Sequence, residues 1–251
     1  MLEERILVTV RTYPTLSSKY IETVCTGGIN DQGEWRRLYP VPLRHLDKDK
    51  QYKAFDVVKV KLGSNPDGRL ESRRPDASTL KVVGHIDGWP ARCEWIVPTA
   101  VPSMKALRDS DRTLAPVVVR EVLEFIANPE SAEWSLKQQE LLKQADLFGG
   151  PQPLEKIPFD FRLKWKDGDG EEHDSKFLAW EVGETWRKFR RKYSDPIDVM
   201  RQKWMNDLFG PSRNIWFFMG NFAEHRQHFG VCGAFVPPKE QSDSVNLWSG
   251  Q

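Results

Sequence analysis

Five basic residues crowd into six positions of one segment, WRKFRRKY: Arg187, Lys188, Arg190, Arg191 and Lys192. Trp186, Phe189 and Tyr193 interleave with them at spacings of three and four. On a helix that spacing gathers an apolar stripe on one side and leaves the cations on the other. Such a face concentrates a positive field suited to a phosphate backbone. It also fits a solubilising surface balanced by Glu181, Glu184 and Asp195.

A second concentration of chemistry runs from Tyr13 to Arg44, YPTLSSKYIETVCTGGINDQGEWRRLYPVPLR. Tyr13, Tyr20, Trp35 and Tyr39 bring rings, while Lys19, Arg36, Arg37 and Arg44 bring charge. Rings that stack on bases, beside cations that neutralise phosphates, are how proteins hold single-stranded nucleic acid. Alternation puts Trp35, Arg37 and Tyr39 on one face of a strand, with Arg36 and Leu38 on the other. A barrel wall fits the same pattern, with Tyr20, Trp35 and Leu38 as core and the arginines solvated. In ESRRPDAS, Arg73 and Arg74 precede a stiffening proline. They form either a phosphate fork or a loop paired with Glu71 and Asp76.

Catalytic groupings are thinner. His225, His228 and Cys232 lie close in sequence, but a zinc site wants a fourth ligand, so no metal is expected. Asp160 and the Asp174-Ser175-Lys176 run echo the two acids and lysine of some metal-dependent nucleases. A turn near Gly168 to Gly170 sets Asp160 opposite residues 176–180. That leaves the two acids about 7–20 Å apart along the strand. Cys25 precedes Gly27-Gly28, whose amides would favour a thiolate, although a buried strand-end cysteine is the commoner case. GxSxG, GxxxxGK[ST], GxGxxG and HExxH are all absent. The balance favours a non-enzymatic binder without a cofactor.

The elements that must position these residues read as follows. Strands are expected over 5–11, 20–26, 34–39, 55–62 and 80–86, with Gly27-Gly28 and Pro40 as stops. Five short strands separated by turns suggest a small barrel or sandwich. Ser103 caps a short helix to Arg108, and Val118, Val122, Phe125 and Ile126 predict a helix over 117–127. Another helix is expected from Ser131 through Ala145. A hairpin pairs a strand over 159–165 with one over 176–182. The basic helix over 185–193 follows, then a helix capped by Asp195 with Pro196 at its first position. Strands over 215–220 and 229–236 close the pattern, and Lys239 to Gln251 reads as a loose tail.

With 251 residues, 39% hydrophobic and 10 Trp, the chain has the material for one large core or two small ones. A formal charge of +1 excludes a uniformly basic coat. Any nucleic-acid surface is therefore a local patch. Three widely spaced cysteines argue against a disulfide framework and for a reducing, cytoplasmic setting. The acidic start, MLEERILVTV, enters a strand at once and is not a signal peptide, and no apolar run is long enough to cross a membrane.

Two blocks, TYPTLSSKYIETVCTGGI with GEWRRLYPVPLR and WFFMGN with FGVCGAFVPPK, resemble the bacterial dual OB-containing domain (DuOB-like) family. That resemblance implies two OB-like barrels and a nucleic-acid-linked role in bacterial defence or repair. On such barrels strands 2 and 3 form the face that takes single strands. The expected fold is thus mainly β with α, two small OB-like β-barrels joined by a helical connector. The domains are 1–100, the connector 101–150, the second barrel with inserted helices 151–239, and the tail 240–251. The expected contacts to single-stranded or structured DNA or RNA are Trp35, Arg37, Tyr39, Arg44, Arg73 and Arg74 on one surface and Arg187, Lys188, Arg190 and Arg191 on another. A metal-dependent nuclease and a protein-binding adaptor within a larger complex are the alternatives.

Overall fold

The computed structural model of the chain describes residues 2–17, 21–146 and 153–242. It is mainly β, with two sheets. The first is built from β1 (Leu2–Arg11), β2 (Thr15–Ser17), β3 (Ile21–Asn30), β4 (Trp35–Val41), β5 (Asp56–Leu62), β6 (Ser72–Arg73) and β7 (Lys81–His85). Its order is β6-β4-β3-β1-β5-β7, with β2 on β3, and every pairing is antiparallel except β4 with β6. Helices α1 (Trp89–Ile96) and α2 (Met104–Asp109) lead to the second sheet. That sheet comprises β8 (Leu114–Pro129), β9 (Phe159–Asp167), β10 (Glu172–Lys176), β11 (Ile215–Asn221) and β12 (Phe229–Phe235), in the order β10-β9-β8-β11-β12. Between β8 and β9 lies α3 (Leu136–Asp146). Between β10 and β11 lie α4 (Trp180–Phe189) and α5 (Pro196–Gln202), which runs on as a π-helix over Lys203–Leu208.

Hydrogen bonds outside the ladders draw the ends of each sheet together. Beyond β6, the Gly63 amide donates to the Arg74 carbonyl at 2.8 Å and the Asp76 amide to the Lys61 carbonyl at 2.9 Å, at the far end of β5. Beyond β10, Phe177 bridges Val231 of β12 in parallel, and the Leu178 amide donates to the Val231 carbonyl at 2.8 Å.

Each sheet encloses its own apolar cluster. Ile6, Val8, Leu38, Val58 and Leu80 centre the first, and Phe125, Leu163, Trp165, Phe217 and Val231 centre the second. A third cluster joins them: Val10, Ile29, Trp35 and Ile96 from the first half meet Leu114, Phe218, Cys232 and Phe235 from the second. Backbone bonds cross the same seam, since the Tyr13 amide donates to the Leu178 carbonyl at 2.8 Å.

Five sequence expectations are corrected. Gly27-Gly28 lies inside β3 and does not end it. A Cβ at Gly28 would sit 2.5 Å from the Leu7 carbonyl oxygen, so the glycine permits close passage of β1 rather than a turn. Strand β4 also runs on through Pro40, which follows a cis peptide bond. Residues 117–127 are the middle of the 16-residue strand β8, not a helix. Bulges between Val119 and Glu121 and between Val122 and Glu124 reset its alternation. Buried positions therefore fall at Val117, Val119, Val122 and Phe125, a spacing that imitates a helix. The expected helical connector over 101–150 is consequently split: α2 precedes β8, and α3 is an excursion of the second sheet. Finally, residues 180–182 begin α4 instead of extending a strand. Most of the expected tail, residues 243–251, lies outside the described residues.

A candidate binding cleft between the two sheets

An open cleft of about 490 Å³ lies where the two halves meet. Rings from both halves line it: Tyr13 just past β1, Tyr39 on β4, Trp134 before α3, Phe159 and Phe161 on β9, and Phe222 after β11. Polar groups are fewer, among them Thr12, Arg69, Glu130, Lys156 and Asn221. Val182 and Gly183 of α4 also line it, and Tyr13 packs so closely on Gly183 that a Cβ there would overlap its ring. Burial pushes the Tyr13 phenol up to about 12, so it stays protonated and donates to the Glu155 carbonyl at 3.3 Å. Lys156 sits 5.8 Å from the centre of the Trp134 ring, whose indole N–H donates to the Leu154 carbonyl at 3.0 Å. A lining rich in rings, with a few polar groups among them, suits a planar ring.

Of the expected contact residues, only Tyr39 lines this cleft. Trp35 and Arg37 are turned to the same side of β4 as Tyr39, as alternation requires, but what they meet is the second half of the chain. Trp35, 5% exposed, packs 5.7 Å from the Phe218 ring. Arg37 is 1% exposed and donates to the Thr113 carbonyl at 2.7 Å and to Asn221 Oδ1 at 3.5 Å. Burial pushes its guanidinium pKa down. Both residues are thus corrected from external contacts to parts of the seam. Arg44 pairs at 2.9 Å with Glu22, a carboxylate that burial pushes up despite the opposing pull of Arg44 and His45. Arg73 is half-buried and Arg74 exposed.

On α4, Arg187 pairs with Glu155 at 3.2 Å and Glu184 at 2.9 Å. Arg190 pairs with Glu155 and lies 4.8 Å over the Trp186 ring. Lys188 and Arg191 are exposed. Trp186 is buried in the second core, as the apolar stripe requires.

Cations bridge the nuclease-like residues. Arg162 pairs with Asp174 at 2.7 Å and with Asp160 at 3.5 Å, while Lys176 pairs with Asp160 at 3.2 Å. His225 and His228 face each other with ring centres 6.0 Å apart on the loop after β11. Cys232 is buried on β12, its thiol pushed up to about 12 by burial. Among the described residues, Asp167, Glu171 and His173 bring possible metal-binding atoms within 4.8 Å of one another. There the buried Asp167 Oδ2 accepts from the Met104 amide at 3.0 Å and lies 2.8 Å from His173 Nε2, and Oδ1 accepts from the Glu171 amide at 3.0 Å. Those bonds make it a clamp on the start of α2.

Sequence reasoning missed the second wall of the cleft. Its signal was a lone tryptophan in a polar run, SAEWSLKQQ, whose exposure to a helix period alone carried no distinguishing pattern.

Residues 2–98 match the family described as domain of unknown function (DUF8758), and residues 100–249 match domain of unknown function (DUF8757). The second match spans more than half of the chain, which belongs to that family. The two matches meet where the first sheet gives way to the second. No curated protein matches the chain.

Proposed function

We propose that the chain is a non-catalytic nucleic-acid-binding protein made of two OB-like barrels, holding a base of a single strand in the cleft between them. The strand connectivity supports the barrels. In each half a first strand (β1, β8) pairs with the second (β3, β9) and the fourth (β5, β11). The third and fifth strands run parallel where the ends approach: β4 with β6, and Phe177 with Val231. In the second half, α4 and α5 fill the connection between third and fourth strands, where OB barrels carry their helix. The single observation that carries the binding role is the aromatic cleft itself, which opens beside the second and third strands of the second half. The resemblance of the terminal segments supplies the setting, a larger bacterial defence or DNA-processing assembly.

The test is fluorescence polarisation with single-stranded DNA, single-stranded RNA and duplex DNA over a salt series. Affinity for single strands is expected to fall with salt as counterions are released. Trp134→Ala and Tyr39→Ala should each weaken binding about 5- to 150-fold, the equivalent of roughly 1–3 kcal/mol per stacked base. No binding to any nucleic acid at low salt would sink the proposal.

A further inference from the structure

Strand β4 joins two openings. Tyr39 reaches the cleft, and Trp35, four residues earlier, lines a second pocket of about 490 Å³. Five ionisable side chains stand on its wall: Glu34, Arg36, Glu71, Arg73 and Arg112. Three of them already have partners. Arg36 donates to Glu4 at 2.8 Å and to Glu34, and Glu71 accepts from the Thr113 amide at 2.8 Å and from the Thr113 hydroxyl.

Arg73 and Arg112 differ. Arg73 donates through one terminal nitrogen to the carbonyls of Leu70 at 3.0 Å and Ser72 at 2.8 Å. Arg112 donates to the Thr99 carbonyl at 2.8 Å. Carbonyls orient a guanidinium without neutralising it. Among the described residues neither arginine has a carboxylate within ion-pair distance, and each keeps N–H groups with no protein acceptor. Burial pushes the Arg112 guanidinium pKa down, with Glu71 only partly opposing.

We infer that Arg73 and Arg112 form an anion site for a phosphate group, built across the junction of the two matched regions. Each guanidinium offers a planar fork to a pair of oxygens. Two forks suit a group with three or four oxygens better than a carboxylate with two. The inference deepens the nucleic-acid proposal by adding a phosphate contact apart from the cleft, and it requires nothing of the cleft residues. The phosphate comes either from a nucleic-acid strand or from the free ion.

The test measures calorimetric binding of inorganic phosphate against chloride at matched ionic strength. It then compares 5′-phosphorylated and 5′-hydroxyl oligothymidylate. Wild type is expected to bind phosphate, and Arg73→Gln and Arg112→Gln to weaken it at least tenfold each. Arg108→Gln, on the exposed side of α2, should match wild type. Arg112→Lys keeps the charge and should fall between, and the half-exposed Arg73→Gln carries the test if Arg112→Gln fails to fold. A gain from the 5′-phosphate that disappears in these variants identifies a strand end. Equal weakening of both oligonucleotides identifies an internal phosphodiester, and phosphate binding alone identifies the free ion. The inference is overturned if phosphate acts no differently from chloride and neither oligonucleotide is weakened by the variants. Oligonucleotides that bind wild type and both variants alike, with phosphate acting no differently from chloride, reject this site and leave the cleft. Phosphate binding lost in the variants, with no oligonucleotide bound, keeps the site and rejects the nucleic-acid proposal.

Discussion

Two regions of this chain carry the same vocabulary of rings and arginines and use it differently. On β4, Trp35 and Arg37 face inward across the seam and are almost fully buried. On α4, Trp186 is buried in its own domain while Lys188, and Arg191 in the turn that follows the helix, stand in solvent. Composition does not separate the two cases. What separates them is what the donors meet: a carbonyl and an amide of the other domain for Arg37, water for Arg191. An arginine–aromatic strand face is complementary to nucleic acid and equally to another domain's β-sheet, because both offer flat apolar surface edged by oxygen acceptors.

That contrast can be broken most directly at Arg37. Arg37→Ala should cost about 3 kcal/mol in urea unfolding, since it empties buried space and leaves the Thr113 carbonyl without its donor. A loss under about 0.5 kcal/mol, the usual range for surface changes, would return Arg37 to the surface. Arg44→Ala comes next, at about 2 kcal/mol, because it strips the partner from buried Glu22. Glu22→Gln in the same chain should restore part of that loss, which a double-mutant cycle measures.

A smaller effect belongs to Asp167. Burial alone would raise its pKa, but bonds from His173 and the Met104 and Glu171 amides outweigh it and hold the carboxyl below the ordinary range. A depressed folded pKa means that the unfolded chain binds the proton more readily. The clamp's contribution is therefore complete above the ordinary aspartate pKa near 4. It fades as pH falls through the lower, folded value. Asp167→Asn should flatten that part of the acid limb in a thermal-shift series. Smallest of all, Arg191→Glu should move stability by less than about 0.5 kcal/mol while weakening single-strand binding.

Much of the fold was legible because period-2 patterns at 5–11 and 55–62 and apolar runs at 215–220 and 229–236 each correspond to one strand. Ser103 and Asp195 were legible as caps because their side chains accept helix amides, from Ala106 and Asp198. Strand β8 was not, because its bulges shift the buried side mid-strand and no local rule predicts a bulge. The glycines of β3 misled for a related reason: what they accommodate is a neighbouring strand distant in sequence. The site was legible in type and misplaced in position. Tyr39 reaches the cleft, but Trp134 and Phe222 arrive on loops from the other half, and only the packing of the two halves brings them within reach.

The third apolar cluster has a bearing on how this chain is inherited and made. Its two matched regions abut at residue 99, so they look like exchangeable cassettes. A ribosome that has released only the first region presents Trp35 and Ile96 uncovered, because Leu114, Phe218 and Phe235 have yet to emerge. Two family models divide the chain, whereas the unit of maturation is the whole pair. Expression of either half alone should yield a sticky product, and recombination that swaps one half must bring a matching seam with it.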